Sequence, residues 1–146
     1  PSILKQIGGI YVDGRVVETT AMDEQFGEFD FVFEATGIAK LQIQLIDAIA
    51  VNGIYVATGI PAGHRPMNIA AGDIMQQLVL KNQVILGSVN ASLQHYRMAV
   101  EFLKACKQRW PEAIDRVITE KIPYTSFQQA IQHHGPEEIK VVVEWS

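Results

Sequence analysis

A rhythm runs through residues 29–108. Three short segments rich in strand formers each end in small residues, and stretches of helical periodicity separate them. Phe29-Asp30-Phe31-Val32-Phe33-Glu34-Ala35 ends at Thr36-Gly37. In residues 38–51, Leu41, Leu45, Ile46, Ile49 and Ala50 recur at helical spacings, which predicts an amphipathic helix closed by Gly53. Ile54-Tyr55-Val56-Ala57 then forms a nearly continuous apolar run ended by Thr58-Gly59. Such runs belong to strands buried on both faces of a parallel sheet. A short helix over 74–80, a strand over 84–89 and a long amphipathic helix over 93–108 continue the alternation. The pattern predicts an α/β fold with a doubly wound parallel sheet.

The flanks read differently. Residues 3–9 look like the last turns of a helix with glycine at its C-cap, Ile10-Tyr11-Val12 like a short strand, and 13–28 like a loop that can hold a helical turn. After Trp110-Pro111 the order is strand (117–122), short helix (127–133, with Thr125 or Ser126 as N-cap) and strand (140–145), a tail that does not continue the alternation. The chain starts in mid-helix without a methionine, so the expectation is a fragment or a protein whose N-terminal portion was removed.

At 146 residues, 48% of them hydrophobic, the chain is long enough for a real core. Twelve Lys and Arg against sixteen Asp and Glu give a net charge of −4, without the broad basic field that would hold nucleic acid or an anionic membrane. The lone Cys106 forms no internal disulfide, and no Cys-x-x-Cys or close His/Cys cluster offers a metal site. This cysteine usage points to an intracellular, cytoplasmic protein. Every apolar run is broken well before the roughly 18 residues needed to cross a bilayer, and no basic n-region with an apolar h-region opens the chain.

Open parallel sheets bind ligands beyond the carboxyl ends of their strands. The tips Ala35-Thr36-Gly37, Ala57-Thr58-Gly59 and Ser88-Val89-Asn90 are all small or hydroxyl- and amide-bearing, which lets a flat ligand approach the backbone closely. Singly, each could be no more than a tight turn; together they point to a cofactor crevice. There is no Gly-x-Gly-x-x-Gly, P-loop or Gly-x-Ser-x-Gly elbow. His64, His95, His133 and His134 are dispersed and read as neither metal ligands nor catalytic bases. Cys106 shares a helix face with Phe102 and Leu103 and reads as a small buried residue. Glu34, inside an apolar strand, needs a hydrogen-bond partner, a place at the cleft or simple solvent access at the strand end. Lys140, by itself, reads as a solvated strand-edge charge.

Taken together, Phe29-Asp30-Phe31-Val32-Phe33-Glu34-Ala35-Thr36-Gly37, Asn52-Gly53-Ile54-Tyr55-Val56-Ala57-Thr58-Gly59-Ile60-Pro61, Asn82-Gln83-Val84-Ile85-Leu86-Gly87-Ser88-Val89-Asn90-Ala91 and Glu138-Ile139-Lys140-Val141-Val142-Val143-Glu144 resemble the C-terminal part of a zinc-dependent medium-chain dehydrogenase. Within that family the chain is most similar to the archaeal-type glucose dehydrogenases, through the Gly-Ser-Val-Asn tip and the following helix with His95 and Tyr96. The resemblance covers essentially the whole chain. It implies oxidation of the anomeric hydroxyl of an aldose to a lactone, with hydride transfer to NADP or NAD. It also implies that Ala57, Thr58 and Gly59 line the nicotinamide end of the cofactor, with Ser88, Val89 and Asn90 as the second lining segment. On the same ground Asn90 reaches the sugar, and Lys140 changes from a surface charge to a contact of the cofactor phosphates.

The expected fold is then a partial Rossmann-like sheet without its first strand-helix-strand unit, plus a small α/β tail belonging to the catalytic domain. Residues 1–109 fall in the NAD(P)-binding domain and 110–146 in the return segment. No catalytic residue and no zinc ligand is expected within this chain, so the zinc would be held elsewhere and the piece alone would be inactive. Expected partners are a small sugar, the missing N-terminal catalytic region and, to cover apolar faces and a sheet edge, a second copy of the chain. The alternatives are a threonine, polyol or simple alcohol dehydrogenase, a non-enzymatic nucleotide- or partner-binding module and, more weakly, a methyltransferase.

Overall fold

A computed structural model describes residues 2–63, 66–132, 135 and 137–145. In chain order the elements are α1 (Ser2–Gln6), α2 (Met22–Phe26), β1 (Phe29–Glu34), α3 (Ala39–Gln44), β2 (Ile49–Ala57), α4 (Ala71–Leu80), β3 (Val84–Gly87), α5 (Leu93–Arg109), α6 (Pro111–Asp115), β4 (Ile118–Pro123), α7 (Phe127–Gln132) and β5 (Lys140–Glu144). They form two compact units, Val12–Asn90 and Pro1–Tyr11 with Ala91–Ser146. This grouping puts α5 with the C-terminal elements, whereas the boundary read from the sequence fell after residue 109.

In the first unit β1, β2 and β3 form a parallel sheet in that order. Sequential strands joined by right-handed crossovers carry their helices on one side of the sheet. The core accordingly lies on one face, where Val32, Ile46, Ile49 and Tyr55 cluster with Ile43 and Leu45 from the α3 side and Ile74 of α4. The opposite face carries Phe31, Ile54 and Val84 in one row and Phe33, Val56 and Leu86 in the next. Phe31 and Phe33 are 58% and 61% exposed. The expectation of strands covered on both faces is thus corrected for this chain: the strands have the composition of two-sided burial, but only one side is covered among the described residues.

The helix expected over 38–51 is also shorter. It ends at Gln44, and the chain is already in β2 by Ile49. Between the pairs Phe29↔Ile49 and Phe31↔Ile54, β2 takes in extra residues as a bulge. Asn52 adopts φ 62° there, a region asparagine tolerates. Gly53 serves close packing instead of capping a helix, since a Cβ on it would stand 2.5 Å from Ile49 Cγ2 and 2.9 Å from the Ala50 carbonyl oxygen. The bulge keeps its polar groups paired: the Asn52 amide donates to the Lys81 carbonyl at 2.7 Å, and Gln83 Nε2 donates to the Ile49 carbonyl at 2.6 Å. Ile10, Tyr11 and Val12 form no strand, because no neighbouring strand pairs with them among the described residues.

In the second unit α1 ends as expected, with Gly8 at φ 84° and the Gly9 amide donating to the Leu4 carbonyl at 2.7 Å. α5 is capped by Ser92, whose hydroxyl accepts from the His95 amide while His95 Nδ1 accepts from the Ser92 amide. α6, absent from the sequence reading, starts on Pro111 and contributes the buried Ala113. β4 and β5 pair in parallel with α7 between them, a separate small sheet that does not extend the first. Phe102 and Leu103 are 70% and 57% exposed and Cys106 is half-buried, so the helix face expected to be core is open among the described residues.

Candidate functional site

The carboxyl ends of β1, β2 and β3 stand side by side, with Glu34 opposite Ala57 and Ala57 opposite Gly87. Backbone bonds continue the sheet into the tips: the Ser88 amide donates to the Ala57 carbonyl at 2.9 Å, and the Thr58 amide to the Glu34 carbonyl at 2.8 Å. The Thr58 hydroxyl donates to that same carbonyl at 2.9 Å. Thr58 therefore spends its hydroxyl and amide on joining the two tips.

Glu34 is only 2% exposed, which decides among its sequence readings in favour of a partnered carboxylate. One carboxylate oxygen accepts from the Thr36 amide (2.6 Å), the Thr36 hydroxyl (2.5 Å) and the Gly37 amide (3.1 Å). The other accepts from Gln42 Nε2 at 2.6 Å. That same nitrogen donates to the Gly59 carbonyl at 2.8 Å, and the Gln42 carbonyl accepts from the Tyr55 hydroxyl at 3.1 Å. Both neighbours of the Gln42 amide group are acceptors, which fixes its NH2 toward them. Burial alone would push the Glu34 carboxyl up, but the bonds from Thr36, Gln42 and the Thr36 and Gly37 amides outweigh it and hold the group below the usual glutamate value. Burial, with the Glu34 charge added, pushes the Tyr55 hydroxyl up to about 12.

Glycines let the tips approach. A Cβ on Gly59 would stand 2.1 Å from the Gly37 nitrogen and 2.9 Å from a Glu34 carboxylate oxygen, so only glycine fits. The loops leaving β1 and β2 border an open cleft of about 650 Å³ lined by Gly37, Ile38, Lys40, Pro61, Met67 and Asn68, among others.

The third tip is open. Nothing lies within 4 Å of a Cβ built on Gly87, Val89 is 67% exposed, and exposed Asn90 adopts φ 67°. Among the described residues no hydrogen bond engages the Ser88 or Asn90 side chains. Small Ala57 and Gly87 side by side, with unengaged polar groups beyond them, fit a flat polar ligand at the strand ends. Six of the seven expected site residues thus lie on adjacent tips of one sheet. Lys140 belongs to the other unit, exposed at the start of β5. His95 is the capping-box partner of Ser92 at the start of α5, while His64, His133 and His134 lie outside the described residues. Among the described residues no group of His, Cys, Asp and Glu side chains could hold a metal ion, so these residues do not fit zinc. Gln42 and Tyr55 escaped the sequence reading; the signal was the stranded carboxylate of Glu34, which required a donor from a neighbouring element.

Residues 1–145 match the protein family described as glucose dehydrogenase C-terminus. The chain is 36% identical over 143 residues to glucose 1-dehydrogenase 2 of Vulcanisaeta moutnovskia, across 97% of this chain and 38% of that protein. It is 31% identical over 143 residues to glucose 1-dehydrogenase of Halobacterium salinarum, across 98% of this chain and 39% of that protein. Its structure is similar to that of Haloferax mediterranei glucose dehydrogenase in complex with NADP, Zn and gluconolactone, with a TM-score of 0.86, 27% identity and coverage of 99% of this chain and 39% of that one. Thermotoga maritima alcohol dehydrogenase shares the fold at a TM-score of 0.72 and 21% identity. The chain therefore spans under two-fifths of the length of the glucose 1-dehydrogenases it matches.

Proposed function

The chain belongs to the glucose dehydrogenase C-terminus family of medium-chain dehydrogenases, and on that premise we propose that it is the C-terminal part of an NAD(P)-dependent glucose 1-dehydrogenase. The full protein oxidises the anomeric hydroxyl of D-glucose or a related aldose to the lactone. The observation that carries this reading is the set of three small strand tips, aligned at the carboxyl edge of a parallel sheet, in a chain that matches the family from residue 1 to 145.

A bound nicotinamide cofactor would supply the hydride acceptor for this oxidation. The work of this chain is placement. Residues 57–59 form a wall that can lie flat against a ring, since Ala57 and Gly59 carry little or no side chain and Thr58 is turned into the sheet. Ser88 and Val89 form the adjoining wall, and the Asn90 amide supplies a donor and an acceptor for a sugar hydroxyl. Holding the reacting carbons at near-attack distance is a large share of catalysis in such a step. Lys140 is assigned to the cofactor's phosphates, where a cation suits the charge. None of the described residues fits zinc, so the ligands of a zinc-requiring enzyme lie outside them. The reading carries with it a second copy of the chain as partner and a cytoplasmic location; no described helix is long and apolar enough to cross a membrane.

Titration of the full-length protein with NADP and NAD, followed by calorimetry, tests the reading. Saturable binding of one dinucleotide is expected, weakened by Lys140→Ala. Absence of binding by both overturns it.

A further inference from the structure

We propose that Glu34, acting through Gln42, is a positioning residue for the cofactor wall at residues 57–59, locking the tips of β1 and β2 into one rigid ledge. The inference rests on the function proposed above and adds to it residues that touch no ligand.

The tips of β1 and β2 are glycine-containing turns, and glycine turns are intrinsically loose. At Gly59 the two backbones come so close that a Cβ would reach 2.1 Å from the Gly37 nitrogen, and nothing apolar can sit between them as a spacer. The approach is instead held by a buried charge. The Glu34 carboxylate gathers the Thr36 amide and hydroxyl and the Gly37 amide on one oxygen, fixing the first tip. Its other oxygen fixes the Gln42 amide, and the second hydrogen of that amide reaches the Gly59 carbonyl. The Glu34 main chain completes the arrangement by accepting from the Thr58 amide and hydroxyl. One residue thus ties both tips, by its side chain through Gln42 and by its carbonyl directly.

Only an ionised carboxylate satisfies this network. All four side-chain bonds of Glu34 are accepted, none donated. An amide in its place must aim its NH2 either at the Thr36 and Gly37 amides or at Gln42, setting donor against donor. Rotating Gln42 to relieve the second clash would put its oxygen against the Gly59 carbonyl. Either choice breaks a tie across the ledge and frees the wall to move, and small misplacements of a binding group are costly for orientation. A buried polar network of this kind rigidifies when it is complete and fails when one member is mismatched.

The test uses the full-length enzyme and two variants, Glu34→Gln and Gln42→Met, the second keeping the side-chain length while removing the donors. Dissociation constants for NADP and NAD come from calorimetry, Michaelis constants for cofactor and D-glucose from steady-state rates, and folding from melting curves. The expected result is cofactor affinity weaker by about tenfold in Glu34→Gln and about threefold in Gln42→Met, with the Michaelis constant for glucose changed by less than about twofold. A loss falling equally on cofactor and sugar, or no loss in folded variants, overturns the inference. If Glu34→Gln does not fold, Gln42→Met decides alone. A wild-type protein that binds neither dinucleotide overturns the proposed function and this inference with it; a wild type that binds while Gln42→Met binds equally well overturns the inference alone.

Discussion

Gln42 of α3 donates a 2.6 Å hydrogen bond to the carboxylate of Glu34, the last residue of β1. A strand and the helix that follows it are thereby joined beneath the site by a charge-assisted bond. The placement is economical in topology: the crossover that carries the chain from β1 to β2 also carries the donor that links their tips, through the Gly59 carbonyl at 2.8 Å.

This relationship has an acid-side signature. The folded protein keeps Glu34 ionised to lower pH than the unfolded chain does, because its hydrogen bonds outweigh burial. Its contribution is therefore present above the ordinary glutamate range and lost as pH falls through the depressed value. Glu34→Gln should cost about 2 kcal/mol at neutral pH. Melting temperatures of wild type and variant, measured from neutral pH downward, should converge under acid conditions; a constant gap at every pH would contradict the network.

Tyr55 gives the alkaline counterpart. Burial and the Glu34 charge push its hydroxyl from 10.0 to about 12, so the folded protein holds that proton after the unfolded chain has lost it. The resulting stability is complete below pH 10 and lost as pH rises toward about 12. Tyr55→Phe should cost about 1 kcal/mol at neutral pH, for the bond to the Gln42 carbonyl, and should flatten the alkaline decline in unfolding titrations. An unchanged decline in the variant would place the titrating group elsewhere.

Two glycines at the strand ends should respond oppositely to the same methyl. On Gly59 a Cβ meets the Gly37 backbone, so Gly59→Ala must displace main chain and should destabilise by about 3 kcal/mol. On Gly87 nothing stands within 4 Å, and Gly87→Ala should leave stability unchanged or raise it by about 0.5 kcal/mol through the unfolded state. Denaturant unfolding of the two variants measures both; comparable losses would contradict the packing described.

Much of this was legible because α/β alternation writes itself in periodicity. β1, β3, α5 and the 54–57 portion of β2 lie where strand composition and helical spacing put them, and the tips at Ala57 and Ser88 follow from where the strands stop. The error over 38–51 has a physical cause: Ile49, Ala50 and Val51 satisfy helical spacing as well as a strand, and only the pairing of Ile49 with Phe29 decides between them. The buried face was misassigned for a related reason, since Phe31 and Phe33 carry the composition of a covered strand without revealing what covers it. Glu34 announced that it needed partners; that they would be Thr36, Gly37 and Gln42 depends on the crossover geometry, which no local pattern encodes. α6 was missed because a five-residue helix begun by Pro111 has too little periodicity to register.

Chemistry at the aligned tips is read from the initial rate of reduced nicotinamide formation by the full-length protein, supplied with zinc, D-glucose and NADP or NAD. A glucose-dependent rate with lactone as product is expected, with a raised Michaelis constant for the sugar in Asn90→Ala. No reduction of either dinucleotide with glucose, other aldoses, alcohols or aldehydes would contradict it.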